Sequence, residues 1–217
     1  MTEAVVFDLD GVIVDSEHVW DDVREAFARE RGGRWHEGAQ TEMMGMSSVE
    51  WSRYLHDEIG VPEPPEEINR EVVARMLARY NEELPLIDGA VAAIKRLAPG
   101  FRLAVASSAN PPLIEAVLGG AGVTALFEVT VSSEEVARGK PAPDVYLETA
   151  RRLGVAPAQC AAVEDSSNGL RSAHAAGLRV VAVPNTHYPP AADALALADV
   201  TLASVSDLSA EAVSGRA

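Results

Sequence analysis

Short apolar segments alternate with amphipathic segments over most of the chain. Buried strands are predicted by apolar runs at residues 4–8, 103–107, 127–132, 160–164 and 180–183, and a weaker strand by residues 199–203. From residue 88 onward, helices are predicted between these runs by apolar positions at helical spacing, over residues 89–97, 111–118, 144–153 and 169–176. This alternation predicts an α/β fold in which a parallel sheet carries helices on both faces.

Residues 17–85 interrupt the alternation, because their patterns are helical throughout. Apolar residues recur there at helical spacing, for example Val19 and Val23. We therefore predict a helical-bundle cap domain over residues 17–85, inserted into an α/β core domain made of residues 1–16 and 86–217. The insert leaves the sheet directly after the first strand, so we expect it to cover the carboxyl edge of the sheet as a lid.

Two aspartates follow the first predicted strand. Asp8 and Asp10 are spaced i, i+2 and precede Gly11. Because residues two apart in a strand point to the same face, we expect their carboxylates side by side at the strand's carboxyl end, where open α/β sheets bind ligands. Two like charges this close require a divalent cation or a shared proton. The simpler alternative is a turn in which one aspartate caps backbone N–H groups.

Polar residues also follow two other predicted strands. Ser107 and Ser108 come after the second strand and just before the start of a helix, which is an arrangement that binds phosphate. Glu164 and Asp165 follow a later strand and open another helix. Both places are also explained by helix capping alone. Asp8, Asp10 and Asp165 together would supply the hard oxygen ligands that Mg²⁺ prefers.

Lys140 is the fourth candidate. The chain has only two lysines, Lys95 and Lys140, against sixteen arginines. A lysine at this place is therefore unusual for the chain, and its compact charge suits a tight site between a carboxylate and a phosphoryl oxygen better than a wide guanidinium does. A solvated surface lysine is the alternative.

Composition restricts the classes of partner. The formal net charge is −15 and the isoelectric point is about 4.7, which disfavours nucleic acid and anionic membranes as partners. The single cysteine, Cys160, excludes an intramolecular disulfide. No apolar run approaches the length of a membrane span, and the first residues lack the pattern of a signal peptide. We expect a cytoplasmic protein and favour a monomer. The same negative charge also disfavours a phosphorylated partner, so binding of a small phosphorylated metabolite would need strong local positive charge.

In the pattern of these candidate residues, the chain resembles the haloacid dehalogenase-like superfamily of aspartate-nucleophile phosphotransferases. Within it, the chain is most similar to the branch of β-phosphoglucomutase-like proteins and sugar-phosphate phosphatases with a small helical cap. The resemblance runs over almost the whole chain and rests on four motifs in order: Asp8-Leu9-Asp10-Gly11-Val12, Ser107, Lys140-Pro141 and Glu164-Asp165-Ser166. It implies a Rossmann-like core with an inserted cap.

The resemblance also implies roles for these residues. Asp8 would be the nucleophile that becomes an aspartyl phosphate, and Asp10 the general acid and then the base. Ser107 and Lys140 would bind the phosphoryl oxygens. The Mg²⁺ ligands would be Asp8, the backbone carbonyl of Asp10, and Asp165, with Glu164 either a direct ligand or a partner of the ligands.

Two departures favour a phosphatase over a mutase. Mutases of this branch carry a histidine early in the first cap helix, where this chain has Trp20. They also carry an arginine after the cap loop, which holds a second phosphate; here the loop around Gly45 is followed by Ser48.

We therefore predict hydrolysis of a small phosphomonoester, with sugar phosphates ahead of phosphoglycolate-type acids. A β-phosphoglucomutase-type mutase remains the alternative, since a shifted alignment would give Arg53 the role of the arginine that holds the second phosphate. The alternative of another class is a non-catalytic module that binds phosphate or Mg²⁺.

The aromatic residues of the insert are predicted to be structural. We expect Trp20, Trp51 and Tyr54 to form the core of the cap rather than a platform for the substrate. The alternative is that Trp20 or His18 lines the pocket, because the first cap helix starts close to Asp10.

Overall fold

Six parallel strands form the centre of the part of the chain that the structure describes. The computed structural model describes residues 1–43, 46–186 and 188–215; Gly45, named above for the cap loop, lies outside them. The spatial order of the strands is β3-β2-β1-β4-β5-β6. Their bounds are Ala4–Phe7 for β1, Arg102–Ser107 for β2, Phe127–Ser132 for β3, Cys160–Glu164 for β4, Arg179–Ala182 for β5 and Val200–Thr201 for β6.

The position of β1 explains why its residues are all apolar. It lies between β2 and β4, and all four of its residues are buried. In the register of the sheet, Phe7 is opposite both Val105 of β2 and Val163 of β4. The residues that follow these three strands therefore meet at one edge of the sheet, as the sequence predicts.

Helices cover both faces of the sheet, which confirms the predicted fold class. Val5 and Phe7 pack in one hydrophobic cluster, whereas Ala4 and Val6 pack in a second cluster on the opposite face. The helices that follow the insert are α5 (Ala90–Leu97), α6 (Pro111–Gly120), α7 (Asp144–Leu153), α8 (Ser167–Ala175), α9 (Ala192–Leu195) and α10 (Ala210–Ser214).

The described residues between β1 and α5 contain four helices, and the helical pattern of residues 17–85 predicts this class of structure. They are α1 (Glu17–Glu30), α2 (Ala39–Met43), α3 (Ser48–Asp57) and α4 (Pro65–Glu82). A capping box begins α3, where the Glu50 carboxylate accepts a hydrogen bond from the Ser47 backbone N–H at 2.8 Å. The buried apolar residues of these helices belong to the same hydrophobic cluster as Val5 and Phe7, so the insert and one face of the sheet share a core. The boundaries of a cap domain and a core domain stay a prediction.

None of the helices in the described residues is both long enough and apolar enough to cross a bilayer.

Candidate active site

Asp8 lies directly after β1, at the carboxyl edge of the sheet. Its backbone N–H donates to the carbonyl of Val163 at 3.0 Å, which continues the β1–β4 ladder by one bond. Its side chain is buried, and Oδ1 accepts a hydrogen bond from Lys140 Nζ at 2.8 Å. The central strand thus places a carboxylate against the buried lysine.

Lys140 bridges two carboxylates. Its Nζ donates to Asp8 Oδ1 at 2.8 Å and to Glu164 Oε1 at 2.6 Å, and the Lys140 side chain is 2% exposed. Burial alone would lower the pKa of Lys140, but the charges of Asp8 and Glu164 and the two hydrogen bonds raise it above its usual value. Lys140 is therefore a permanent cation, which excludes a solvated surface lysine.

Glu164 is fixed from both sides. Its Oε1 also accepts from the Tyr146 hydroxyl at 2.5 Å, and Oε2 accepts from the Asp165 backbone N–H at 3.2 Å. Gly169 provides the space, since a Cβ atom there would lie only 1.9 Å from Glu164 Oε2. With both oxygens in hydrogen bonds, Glu164 positions Lys140.

Three carboxylates form one buried cluster. Asp8, Glu164 and Asp165 each offer an oxygen atom, and these atoms lie within 4.8 Å of one another. Burial and the charge of Glu164 raise the pKa of Asp8 to about 8, and the pKa of Asp165 lies well above its usual range for the same two reasons and because of Asp8. One lysine cannot neutralise three carboxylates, so the cluster has a deficit of positive charge.

Gly11 lets the chain pass close to Asp165. Its φ of +74° lies in the left-handed region, and a Cβ atom there would be 1.9 Å from Asp165 Oδ2. The turn after Asp10 therefore requires glycine for two independent reasons, its backbone conformation and its contact with a carboxylate of the cluster.

The carboxylate of Asp10 lies outside the cluster. Strand β1 ends at Phe7, and residues 9–14 form a turn, so the expected extended geometry with both aspartates on one strand face was wrong. Asp10 Oδ1 instead accepts hydrogen bonds from Ser16 Oγ and, at 3.3 Å, from Trp20 Nε1. The structure thus ties Asp10 to the beginning of α1.

The two serines after β2 differ in what they contact. Ser107 is fully buried, and its Oγ accepts from the backbone N–H of Ala109 at 3.0 Å, which is a turn interaction. Ser108 lines the cavity, and its buried Oγ has no hydrogen-bond partner among the described residues. The structure therefore places Ser108 beside Asp8 and Lys140 in the cavity wall, with Ser107 behind it.

A cavity of about 60 Å³ lies between the sheet edge and the helical insert. The sheet side contributes Asp8, Asp10, Ser108, Lys140 and Asp165, among others. The insert contributes Glu17, Trp20, Arg24, Met43, Met46 and Trp51.

The two tryptophans of the insert both pack in the hydrophobic core and face this cavity. Their rings lie 5.9 Å apart, and each is less than a tenth exposed. The interpretation of Trp20 and Trp51 as core residues is thus correct but incomplete. His18 faces other pockets on the surface of the protein.

Arg24 is a site residue that the sequence reasoning missed. Its guanidinium carbon lies 4.3 Å from the Trp20 ring centroid and 4.8 Å from that of Trp51. The sequence contained a signal that Arg24 lies on the buried face of α1. Arg24 is one turn after Trp20 and three residues before Phe27, and Trp20 and Phe27 are both buried. A polar residue on the buried face of a helix needs a partner or a function.

Gln40 connects Arg24 to Glu17. Its Oε1 accepts from Arg24 Nη1 at 3.3 Å, and its Nε2 donates to Glu17 Oε2 at 2.9 Å. Burial, followed by the charge of Asp10, raises the pKa of Glu17 to about 7. The insert side of the cavity therefore contains an acid that titrates near neutral pH and a buried cation.

Comparison with known proteins points to one family. The family model for haloacid dehalogenase-like hydrolases matches residues 2–177. Hexitol phosphatase B of Escherichia coli (strain K12) is 33% identical over 220 residues, covering 98% of this chain and 96% of that protein. The bifunctional riboflavin kinase/FMN phosphatase of Arabidopsis thaliana is 31% identical over 199 residues; the chain spans 52% of its length. The crystal structure of CbbY from Rhodobacter sphaeroides in complex with phosphate has a TM-score of 0.86 and 30% identity, over 98% of this chain and 99% of that one.

Proposed function

Because the chain belongs to the haloacid dehalogenase-like hydrolases, we propose that it is a Mg²⁺-dependent phosphatase of small phosphomonoesters. The observation that carries this proposal is the buried cluster of Asp8, Glu164 and Asp165, with Lys140 hydrogen-bonded to two of its members. Relatives named as phosphatases over nearly their full length support it. Sugar phosphates are the first candidates, and phosphoglycolate-type acids the second.

The donor set fits a hard divalent cation. Three buried carboxylates share one lysine, so the cluster lacks positive charge, and oxygen ligands of this kind suit Mg²⁺. Asp8, Asp165 and the backbone carbonyl of Asp10 would hold the ion, while Glu164 keeps Lys140 in place. When bound, the ion supplies charge neutralisation that lets an anionic phosphate approach an anionic nucleophile.

Asp8 is the proposed nucleophile. A carboxylate oxygen of Asp8 forms a bond to phosphorus while the bond from phosphorus to the alkoxide oxygen breaks, giving an aspartyl phosphate and an alcohol. Water then attacks phosphorus, the bond to Asp8 breaks, and inorganic phosphate leaves. Lys140 orients the Asp8 carboxylate through Oδ1 and retains a third N–H for a phosphoryl oxygen. We propose Ser108 Oγ as a further phosphoryl partner, since it lies in the cavity wall, and Ser107 as a support of that loop.

Asp10 is the proposed acid and base. Both Ser16 Oγ and Trp20 Nε1 donate to its Oδ1, which leaves Oδ2 as the oxygen that gives a proton to the leaving alkoxide and takes one from the attacking water. The two contacts fix the direction of the carboxyl group, because they hold one of its oxygens from the start of α1.

Residues 17–85 are proposed to act as the cap over this site. A contact between the insert and the core supports this: Glu134 Oε1 accepts hydrogen bonds from Ser48 Oγ, from Asn69 Nδ2 at 3.3 Å and from Asn110 Nδ2 at 2.6 Å. Ser48 and Asn69 lie in the insert, and Asn110 begins α6 of the core. One carboxylate thus joins the insert to the core, and closure of this kind would exclude water from the site.

A phosphate-release assay tests the proposal. Wild-type protein with Mg²⁺ is expected to hydrolyse p-nitrophenyl phosphate and members of a sugar-phosphate panel, and excess EDTA is expected to abolish this. Asp8→Asn should lower kcat by about 10³-fold or more, because the amide cannot form the covalent intermediate. Asp57→Asn, an exposed aspartate on α3, is the control.

Three outcomes separate the alternatives. Activity of Asp8→Asn near that of wild type would contradict the mechanism. Conversion of β-glucose phosphate to its isomer without net phosphate release would identify a mutase. Phosphate binding without turnover of any substrate would indicate a non-catalytic module.

A further inference from the structure

Arg24 and Lys140 are the buried basic side chains of the described residues, but their surroundings differ. Lys140 contacts two carboxylates, at 2.8 and 2.6 Å. Arg24 is 5% exposed and has no carboxylate within ion-pair distance among the described residues; its Nη1 reaches only the amide oxygen of Gln40, at 3.3 Å. Its Nε is buried and has no hydrogen-bond partner there either. Arg24 is thus a buried cation with unused donors in a cavity wall.

Burying a cation whose N–H donors have no acceptor lowers the stability of the fold unless another group compensates for the lost hydration. A buried N–H without an acceptor loses its hydration, and a buried charge loses more. Burial lowers the pKa of Arg24 to about 10, which still leaves the guanidinium charged at neutral pH. Attraction to the Trp20 and Trp51 rings offsets part of the cost, but aromatic faces accept no in-plane hydrogen bond. The in-plane donors therefore lack a partner of matching charge.

The two indole rings also fix the plane of the guanidinium. A planar fork that is already oriented loses little freedom when it binds, and it matches the two oxygens of a carboxylate or a phosphate. We propose that Arg24 binds a second oxyanion of the substrate, at the end remote from the phosphoryl group that is hydrolysed. This inference rests on the proposed function and narrows it to phosphomonoesters that carry a carboxylate or a second phosphate.

Both anionic groups would lie in the same cavity, because Asp8, Lys140 and Arg24 all line it. We place the phosphoryl group next to Asp8 and Lys140 and the second oxyanion next to Arg24, so a short carbon chain is the first spacer to test. A neutral hydroxyl at the remote end would accept one hydrogen bond and would offer Arg24 no direct ion pair.

Three compounds with the same three-carbon chain test this. Hydroxypropyl phosphate ends in an alcohol, phospho-oxypropanoate in a carboxylate, and propanediol bisphosphate in a second phosphate. We expect wild-type kcat/KM to be higher for at least one of the anionic compounds than for the alcohol by about 10-fold or more, since charge-assisted hydrogen bonds are roughly twice as strong as neutral ones. A preference for only one of the two anions identifies which oxyanion Arg24 binds.

Variants then assign the preference to Arg24. Arg24→Met should reduce the ratio of kcat/KM for the preferred anionic compound to kcat/KM for the alcohol to about 1. Methionine retains much of the side-chain volume of arginine but lacks its charge and its hydrogen-bond donors. Arg24→Lys should retain part of the preference, since it keeps the charge without the fork. The matched control is Arg29→Met on the same helix, whose side chain is 63% exposed and paired with Glu25; it should leave the ratio unchanged.

The comparison of substrates with wild-type protein needs no variant, so the test holds even if Arg24→Met fails to fold. A wild-type ratio near 1 for both anionic compounds overturns the inference and leaves the proposed phosphatase intact. Hydrolysis of none of the three compounds, nor of p-nitrophenyl phosphate, contradicts the phosphatase instead. In that case, calorimetric affinities of the same compounds still decide the role of Arg24, and equal affinities overturn it.

Discussion

Replacing Lys140 with methionine tests the charge balance of the buried cluster. Lys140 is the cation that contacts Asp8 and Glu164, and methionine retains a similar length without the charge. In the absence of Mg²⁺, the variant leaves Asp8, Glu164 and Asp165 in a buried space without a compensating cation. The expected result is a large loss in the free energy of unfolding.

The magnitude follows from the two contacts. At an effective dielectric constant of about 20, the ion pair with Glu164 at 2.6 Å is worth about 6 kcal/mol before the cost of burying the lysine. The contact with Asp8 adds an ion pair only above about pH 8, where Asp8 is ionised. Removing one partner of a buried pair costs about 3–5 kcal/mol overall. Asp8 limits this cost by keeping its proton to a higher pH. The pKa of Asp8 is about 8 with Lys140 present and rises further without it.

These pKa values determine the sign of the pH dependence. Above about pH 8, wild-type Asp8 is ionised, whereas Asp8 of the variant still binds a proton in the folded state. The variant's stability then falls with pH relative to wild type, by at most about 1.4 kcal/mol per pH unit. Below that pH, Asp8 is protonated in both proteins and the difference is constant. Mg²⁺ should reduce the difference, since it supplies positive charge to the same carboxylates.

Urea unfolding followed by tryptophan fluorescence measures the effect. It is run at several pH values on either side of about pH 8, in EDTA and in Mg²⁺. Lys95→Met, which removes the other lysine of the chain from an exposed position on α5, is the control and should change little. A loss for Lys140→Met below about 1 kcal/mol at every pH, or a loss that does not increase above pH 8, would refute the reasoning.

The other predictions concern the turn after β1 and the metal. Gly11→Ala should weaken Mg²⁺ affinity and lower activity by about 10-fold or more, as measured by Mg²⁺-dependent turnover, because its Cβ atom would lie 1.9 Å from Asp165 Oδ2 in a backbone conformation that costs alanine about 1–2 kcal/mol; unchanged Mg²⁺ dependence would contradict this. Asp10→Asn should slow alkyl phosphates more than p-nitrophenyl phosphate, because poor leaving groups need the acid most, and equal slowing would count against Asp10 as the acid. In EDTA, the raised pKa of Asp8 should make the wild-type protein lose stability as the pH rises from about 4 to about 8, and Mg²⁺ should remove that loss, which urea midpoints with and without the ion would show.

The sheet was predictable from the sequence because its central strands are apolar and the residues that directly follow them are polar. A strand buried on both faces must be apolar throughout, as β1 is, so a carboxylate directly after it marks the sheet edge. The parallel register then brings the ends of β1, β2 and β4 together, whatever the helices between them do. Asp8, Glu164 and Asp165 were therefore predictable as neighbours. Their roles in catalysis remain predictions.

Other parts of the site depend on tertiary contacts that periodicity does not contain. Asp10 follows the end of β1 instead of extending it, because the turn at Gly11 redirects the chain toward α1. Ser107 and Ser108 are identical in type, and only the direction of the loop decides which of them faces the cavity. Arg24 was overlooked because a charged residue among acidic neighbours reads as solvent-exposed, whereas the insert buries it between rings from two helices.

The two sides of the cavity differ in how many of their polar side-chain atoms already have hydrogen-bond partners. On the sheet side, Lys140 donates to Asp8 and to Glu164, and both oxygens of Glu164 accept hydrogen bonds, so this side suits one task, the binding and activation of a phosphoryl group. On the insert side, Arg24 retains donors and contacts Trp20, whose Nε1 donates to Asp10. An anion bound at Arg24 would therefore act on the proposed acid through a single side chain. Binding energy from the remote end of a substrate accelerates a reaction only if it is used at the reacting groups, and Trp20 is a side chain that contacts both Arg24 and Asp10.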